Sequence, residues 1–149
     1  MALPTGMVCF LFTDLVGSST HWDRATDEMR DAIGRHDEIL RSAVNAHGGV
    51  VVKSTGDGIM AAFSDPADGV QAASAAQRRL AEEPWPVAIG SLTCRMGLHT
   101  GPADPQDGDY HGPTVNRAAR LEAAGHGGQI LVSSATRELA VGRVSDLEF

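Results

Sequence analysis

The sequence predicts an α+β sandwich with a ferredoxin-like core rather than a doubly wound parallel sheet. Three observations carry that expectation. Two apolar runs, residues 49–54 and 58–63, are joined at Gly56-Asp57-Gly58 and read as a hairpin. Two long helical periodicities, over residues 27–45 and 66–82, flank the hairpin and are long enough to cross a sheet. Taken end to end, the signals run β α β β α β α β α, with no internal repeat or linker, so residues 1–149 read as one domain.

Each element has its own signal. Residues 7–13, MVCFLFT, form a short apolar run that ends at Asp14, the pattern of a buried strand. LVGSSTHW follows as a Gly/Ser-rich turn leading into a helix. Over 27–45, Met29, Ala32, Ile33, Ile39, Leu40, Ala43 and Val44, with the half-polar His36, recur at i, i+3, i+4 and i+7. Gly48-Gly49 stops that helix. Beyond the hairpin, Asp65-Pro66 opens an alanine-rich helix that Pro84 and Pro86 close. SLTCRMGLH, residues 91–99, alternates as a strand, and 101–110 reads as a Gly/Pro/Asp loop. A helix over about 112–124 stops at Gly125. QILVSS is a last strand, followed by a short helix from 134.

Composition excludes several function classes. At 42% hydrophobic and 21% charged residues, the 149-residue chain is globular and can bury a core. The net charge is −7 and no basic block occurs, which argues against nucleic acid as a partner. A polyanionic ligand would have to be held locally, by a few placed cations or metal ions. No run approaches the roughly 18 apolar residues of a membrane span. MALPTGMVCFLF lacks the basic region and cleavage site of a signal peptide. Cys9 and Cys94 sit in apolar stretches and read as free buried thiols, as expected in the cytoplasm.

Four constellations could carry chemistry. In FTDLVGSS, Asp14 at a strand end precedes a Gly/Ser turn whose free amides could hold a phosphate beside a hard cation. The same residues would equally serve as a helix N-cap. In KSTGDG, Asp57 is either a turn former or a ligand. Lys53, in an otherwise apolar strand, needs a partner if buried, or snorkels. In DYHGPTVNRAARLEAAG, Asn116 and Arg120 fall at i, i+4 on one helix face, and the arginine fork suits phosphate oxygens. A solvated surface pair is the plain alternative. In CRMGLHTG, Arg95 lies within a strand, and His99 reads as a hydrogen-bonded structural histidine. No His/Cys group has zinc spacing, and GHGGQ lacks the ending of a P-loop.

In order and spacing, FTDLVGSS, KSTGDGIMAAF, CRMGLHTG, GDYHGPTVNRAAR and GGQILVSSAT resemble the class III nucleotidyl cyclase catalytic domain. The match runs from residue 10 to about 136 and is nearest the bacterial members, those of actinobacteria especially. The resemblance implies a fold of that family and conversion of a nucleoside triphosphate to a 3′,5′-cyclic nucleotide and pyrophosphate. It implies two divalent cations, Mg²⁺ or Mn²⁺, at Asp14 and Asp57. Lys53 and Asp109 match the base-selecting positions, and their identity implies ATP. Asn116 and Arg120 match the residues that orient the ribose and stabilise charge at the α-phosphate, and Arg95 a triphosphate contact. The backbone amides of Leu15, Val16, Gly17 and Ser18 would cradle phosphates. The family also implies a homodimer whose sites are shared, with the metal aspartates from one chain and Lys53, Asp109, Asn116 and Arg120 from the other.

Family domains continue through further C-terminal strands, so the ending at VSDLEF suggests a shortened C-terminus. Guanylate cyclase or mixed specificity is the runner-up activity. A diguanylate cyclase would show GG[DE]EF where this chain has TGDGI. A catalytically silent nucleotide-binding or dimerisation module is the rival from another class.

Overall fold

The computed structural model describes residues 2–16, 26–144 and 147–149. In chain order the elements are β1 (Gly6–Leu15), α1 (Thr26–Ala46), β2 (Val50–Thr55), β3 (Gly58–Phe63), α2 (Pro66–Glu82), β4 (Cys94–Ala103), α3 (Pro113–Ala123), β5 (Ile130–Val132) and α4 (Ser134–Ala140). The strands form one sheet in the order β2-β3-β1-β4-β5. β1 is antiparallel to both β3 and β4, β2 to β3, and β5 alone runs parallel to its neighbour β4. The first four strands with α1 and α2 are thus the expected split βαβ pair, extended by one strand.

Strand alternation divides the core in two. Cys9, Leu11, Ile59, Ala61, Phe63 and Leu98 point to the face where α1 and α2 lay Ile39, Leu40, Ala73 and Leu80. Val8, Phe10, Met60 and Ala62 point to the other face, against Tyr110 and Ala118 of the α3 region. Two glycines set how closely the layers approach the site. A Cβ on Gly58 would stand 1.7 Å from the Thr13 carbonyl oxygen, and one on Gly97 would stand 2.4 Å from the Glu122 nitrogen. The hairpin tip and the C-terminal end of α3 are therefore pressed against the end of β1 and the middle of β4.

β4 and β5 differ most from the sequence expectation. β4 begins at Cys94, not 91, and runs on through Gly101 and Pro102 to Ala103. Those turn-forming residues stay in the strand because Gly101 and Pro102 pair with Val8 and Met7 of β1. β5 reaches only Met96–Leu98, so β4 has an open edge beyond, where a strand tolerates proline. β5 itself is three residues, because Ser133 leaves the strand to cap α4 by accepting from the Thr136 amide. The turn residues Gly17 and Ser18, and His21, lie outside the described residues. Both cysteines are free and buried. Among the described residues, no helix is long and apolar enough to cross a membrane.

Candidate active site

The register of β1 and β4 places Asp14 directly opposite Arg95. Arg95 grips the carboxylate as a fork, with Nε 2.8 Å from Oδ1 and Nη2 on Oδ2. Its third nitrogen, Nη1, donates to the Ala123 carbonyl at the end of α3 (3.1 Å). Burial alone would raise the Asp14 carboxyl, but the Arg95 hydrogen bond and charge, together with a hydrogen bond to Glu122, hold the group below the ordinary carboxylate range.

The β2–β3 hairpin brings Asp57 to the same place. Gly56 takes φ 72° at the first central turn position, as a type II′ turn requires. The Thr13 hydroxyl accepts from the Ile59 amide (3.0 Å) and pins the start of β3 to β1. Asp57 Oδ1 then accepts from the Leu15 amide at 3.3 Å, one residue past Asp14. Beside them lies a recess of about 360 Å³ lined by Leu15, Val16, Arg95, Gly125, His126 and Gly127. The Leu15 amide is engaged by Asp57, and the Val16 amide donates to the Thr93 carbonyl (3.0 Å).

Sequence reasoning missed Glu122. It closes α3 on the buried side, 8% exposed, with Oε1 3.8 Å from Arg95 Nε. That oxygen has no hydrogen-bond partner among the described residues. Burial first, then hydrogen bonding to Asp14 and the charge of that carboxylate, push its carboxyl up to about 8, against the opposing pull of Arg95. In RLEAAG it reads as an ordinary acidic residue near a helix end. The available signal was Gly97, which only a close helix approach explains.

A second group forms on the α3 face. Lys53 Nζ donates to Asp109 Oδ2 at 2.8 Å. Lys53 is not the buried ammonium its apolar neighbours suggest. β2 is an edge strand, and the lysine side chain is 45% exposed. A β-bulge aims it. Val51 pairs with Ala61, but Lys53, not Val52, takes Met60 as its partner. Val52 and Lys53 therefore both lean to the Met60 face, whereas strict alternation would have turned Lys53 toward α1. Ser54, next along, resumes the α1 side, where Arg41 Nη2 donates to its hydroxyl (3.3 Å).

Asp109 is fixed by a tight turn and a buried anchor. Gln106 and Asp109 exchange backbone hydrogen bonds of 2.8 and 3.1 Å around Asp107 (φ 52°) and Gly108 (φ 77°), the type I′ signature. Asp109 Oδ1 accepts from the Tyr110 amide (2.7 Å). Tyr110 is itself held edge-on against Phe10, with ring centroids 4.8 Å apart, and its hydroxyl donates to the Pro4 carbonyl. Lys53 first, then that amide, lower the Asp109 carboxyl.

Asn116 and Arg120 share an exposed stretch of α3, and neither has a side-chain hydrogen bond or ion pair among the described residues. One chain thus brings Asp14, Asp57 and Arg95 together, pairs Lys53 with Asp109 separately, and leaves Asn116 and Arg120 facing outward. His99 is structural as expected, its Nδ1 2.8 Å from the Ser133 hydroxyl.

The donors at Asp14 and Asp57 are hard carboxylate oxygens in a locally acidic corner. Among the described residues, no three His, Cys, Asp or Glu side chains converge to hold an ion alone. Carboxylates suit Mg²⁺ or Mn²⁺, which keep several waters and complete their shell with substrate phosphates, though here both Asp14 oxygens are taken by Arg95. The residues present fit such ions.

Residues 2–147 match the family described as adenylate and guanylate cyclase catalytic domain. An uncharacterized protein of Mycobacterium tuberculosis is 37% identical over 143 residues, covering 95% of this chain and 47% of its own length. An adenylate cyclase of Lachancea kluyveri is 37% identical over 158 residues, covering 90% of this chain and 9% of its own. The chain therefore spans about half, or far less, of these relatives. An adenylate/guanylate cyclase/hydrolase structure from Silicibacter pomeroyi superposes with a TM-score of 0.82 at 32% identity, covering 95% and 83% of the two chains. An adenylate cyclase from Trypanosoma brucei, solved in its monomeric state, gives 0.86 at 27% identity, covering 96% and 80%.

Proposed function

Because the chain belongs to the adenylate and guanylate cyclase catalytic domain family, we propose that it converts ATP to 3′,5′-cyclic AMP and pyrophosphate in a homodimer. The observation that carries the choice of base is the Lys53–Asp109 pair, met at 2.8 Å on one face of the sheet. An ammonium beside a carboxylate presents a donor next to an acceptor. Adenine offers the complement, an acceptor at N1 and a donor at the exocyclic amine. Guanine offers the reverse, a donor at N1 and an acceptor at O6. A lysine has three protons to give, so Lys53 can keep Asp109 and still reach the base. A mismatched base would leave polar groups unpaired in the contact, which costs about tenfold or more in discrimination.

Asp14 and Asp57 would hold two divalent cations. When bound, these supply activation of the ribose 3′-hydroxyl and neutralise the triphosphate and the leaving pyrophosphate. Arg95 holds the terminal phosphates beside the recess lined by Leu15 and Val16, with Gly17 and Ser18 next along the chain. Asn116 orients the ribose, and Arg120 stabilises negative charge gathered at the α-phosphate as the bond to pyrophosphate breaks. Among the described residues neither Asn116 nor Arg120 has a side-chain partner, which favours sites shared between two copies.

Incubation with ATP or GTP and Mn²⁺, followed by separation of the products, tests the reading. Cyclic AMP well in excess of cyclic GMP is expected. Neither product, from protein shown to be dimeric, would make the chain a silent binding module instead. Equal products would favour mixed specificity.

A further inference from the structure

Arg95 stands between two acidic side chains, hydrogen-bonded to one and only in a long contact with the other. Asp14 takes Nε at 2.8 Å and also Nη2, while Glu122 Oε1 lies 3.8 Å from the same Nε. That oxygen is buried, and it has no hydrogen-bond partner among the described residues. A buried acceptor left unpaired is costly, so its position calls for a physical reason. The fold goes to some length to put it there. Gly97 admits the end of α3 to within 2.4 Å of where a Cβ would stand, and Arg95 Nη1 is tied to the adjoining Ala123 carbonyl. The guanidinium is thus tethered beside Glu122 already. A movement of Nε by about 1 Å, the difference between the two separations, would convert the long contact into a charge-assisted hydrogen bond.

We propose that Glu122 is a positioning residue that takes over Arg95 when a divalent cation displaces it from Asp14. The inference rests on the reading of Asp14 as a cation ligand, and goes beyond it. A cation on Asp14 and a guanidinium forked onto the same carboxylate compete, because both need the same oxygens and repel each other. Without a second acceptor, the displaced arginine would swing into solvent and lose its place beside the Leu15/Val16 recess. With Glu122 and the Ala123 carbonyl, it changes partner and keeps its station. Cation binding and the location of Arg95 are then two sides of one exchange.

The test uses nucleotide-free protein, with Mn²⁺ as the probe and the free-ion electron paramagnetic resonance signal as the measure of binding. Glu122→Gln is expected to weaken Mn²⁺ binding about tenfold, because the neutral amide keeps an acceptor but offers the displaced Arg95 no charge. Arg95→Ala should bind Mn²⁺ at least as well as the unaltered protein, and Glu122→Gln added to it should change little. Equal weakening by Glu122→Gln with and without Arg95 would overturn the proposal, since Glu122 would then act on the ion directly. So would an absence of weakening in the presence of Arg95.

Asp14→Asn separates the two levels. If it leaves Mn²⁺ binding intact, the cation reading itself fails and the proposal with it. If it abolishes binding while Glu122→Gln has no effect, only the exchange fails. Should Glu122→Gln not fold, the unaltered protein still decides. The Arg95 Nε–Hε resonance should shift on Mg²⁺ titration yet remain protected from solvent exchange; loss of that protection would overturn the exchange.

Discussion

Lys53 and Asp57 stand four residues apart on one hairpin, yet they meet different neighbours. Asp57 reaches the Leu15 amide beside Asp14, while Lys53 reaches Asp109 on the α3 face. Both stand out in the sequence as candidates, because a charged side chain in an apolar strand and a carboxylate at a strand end are local signals. Glu122 was not, because its burial comes from the approach of α3 over Gly97, a contact between segments far apart in sequence. Reversing the charge at position 53 tests the base reading. Lys53→Glu would face Asp109 with a second carboxylate and reduce the preference for ATP over GTP about tenfold or more, measured as the ratio of kcat/KM values. An unchanged ratio would mean that Lys53 does not read the base.

His36 gives a prediction about stability. It is fully buried on α1, with Nε2 3.4 Å from Cys94 Sγ and Nδ1 3.1 Å from Asp37 Oδ1. Burial lowers its pKa, against the smaller opposing pull of Asp37. The unfolded chain therefore takes up the proton first, near pH 6.5. The stability due to neutral His36 is fully present above that pH and is lost as the pH falls through the lower folded value, at up to about 1.4 kcal/mol per pH unit. Melting temperatures at pH 7.5 and 5.5 should differ more for the unaltered protein than for His36→Gln. Equal differences would show that this histidine does not titrate on unfolding.

At the scale of elements, periodicity located every helix and strand of the described residues in order, and α2 to the residue. It misplaced the ends of β4, because pairing with β1 decides where that strand stops, not the Gly-Pro in its sequence. It could not show the bulge either. VVVKST has no glycine or other mark at Val52, and strict alternation would have sent Lys53 toward α1. The bulge is what puts Lys53 within 2.8 Å of Asp109. Deleting Val52 should remove the extra residue and let Lys53 follow Val51 in regular alternation, still opposite Met60 on the same face. Nucleotide-binding titrations should then still show a preference for ATP over GTP, while circular dichroism shows the sheet intact. A folded deletion variant that has lost the preference would show that the place opposite Met60 is not enough to set recognition.

At the scale of the molecule, the candidate residues fall into three separate sets within one chain. Among the described residues Asn116 and Arg120 have no side-chain hydrogen bond or ion pair, so none joins them to the acidic corner of Asp14 and Asp57, and both are exposed on α3. Sequence order could never reveal that separation, since Asp109, Asn116, Arg120 and Glu122 lie within fourteen residues of one another. A site needing all of them is completed most simply by a second copy, related by two-fold symmetry so that each chain gives half of each of two sites. Asp57→Ala and Asn116→Ala should each be inactive alone, for opposite reasons. Mixed in equal amounts under conditions of subunit exchange, half the dimers pair one chain of each kind, with one site intact and the other doubly damaged. Cyclic AMP formation should then recover to about a quarter of the unaltered rate. No recovery, with exchange demonstrated by differently tagged chains, would place the whole site within one chain. Arg120 would then have to reach its own Asp14 by a rearrangement of α3.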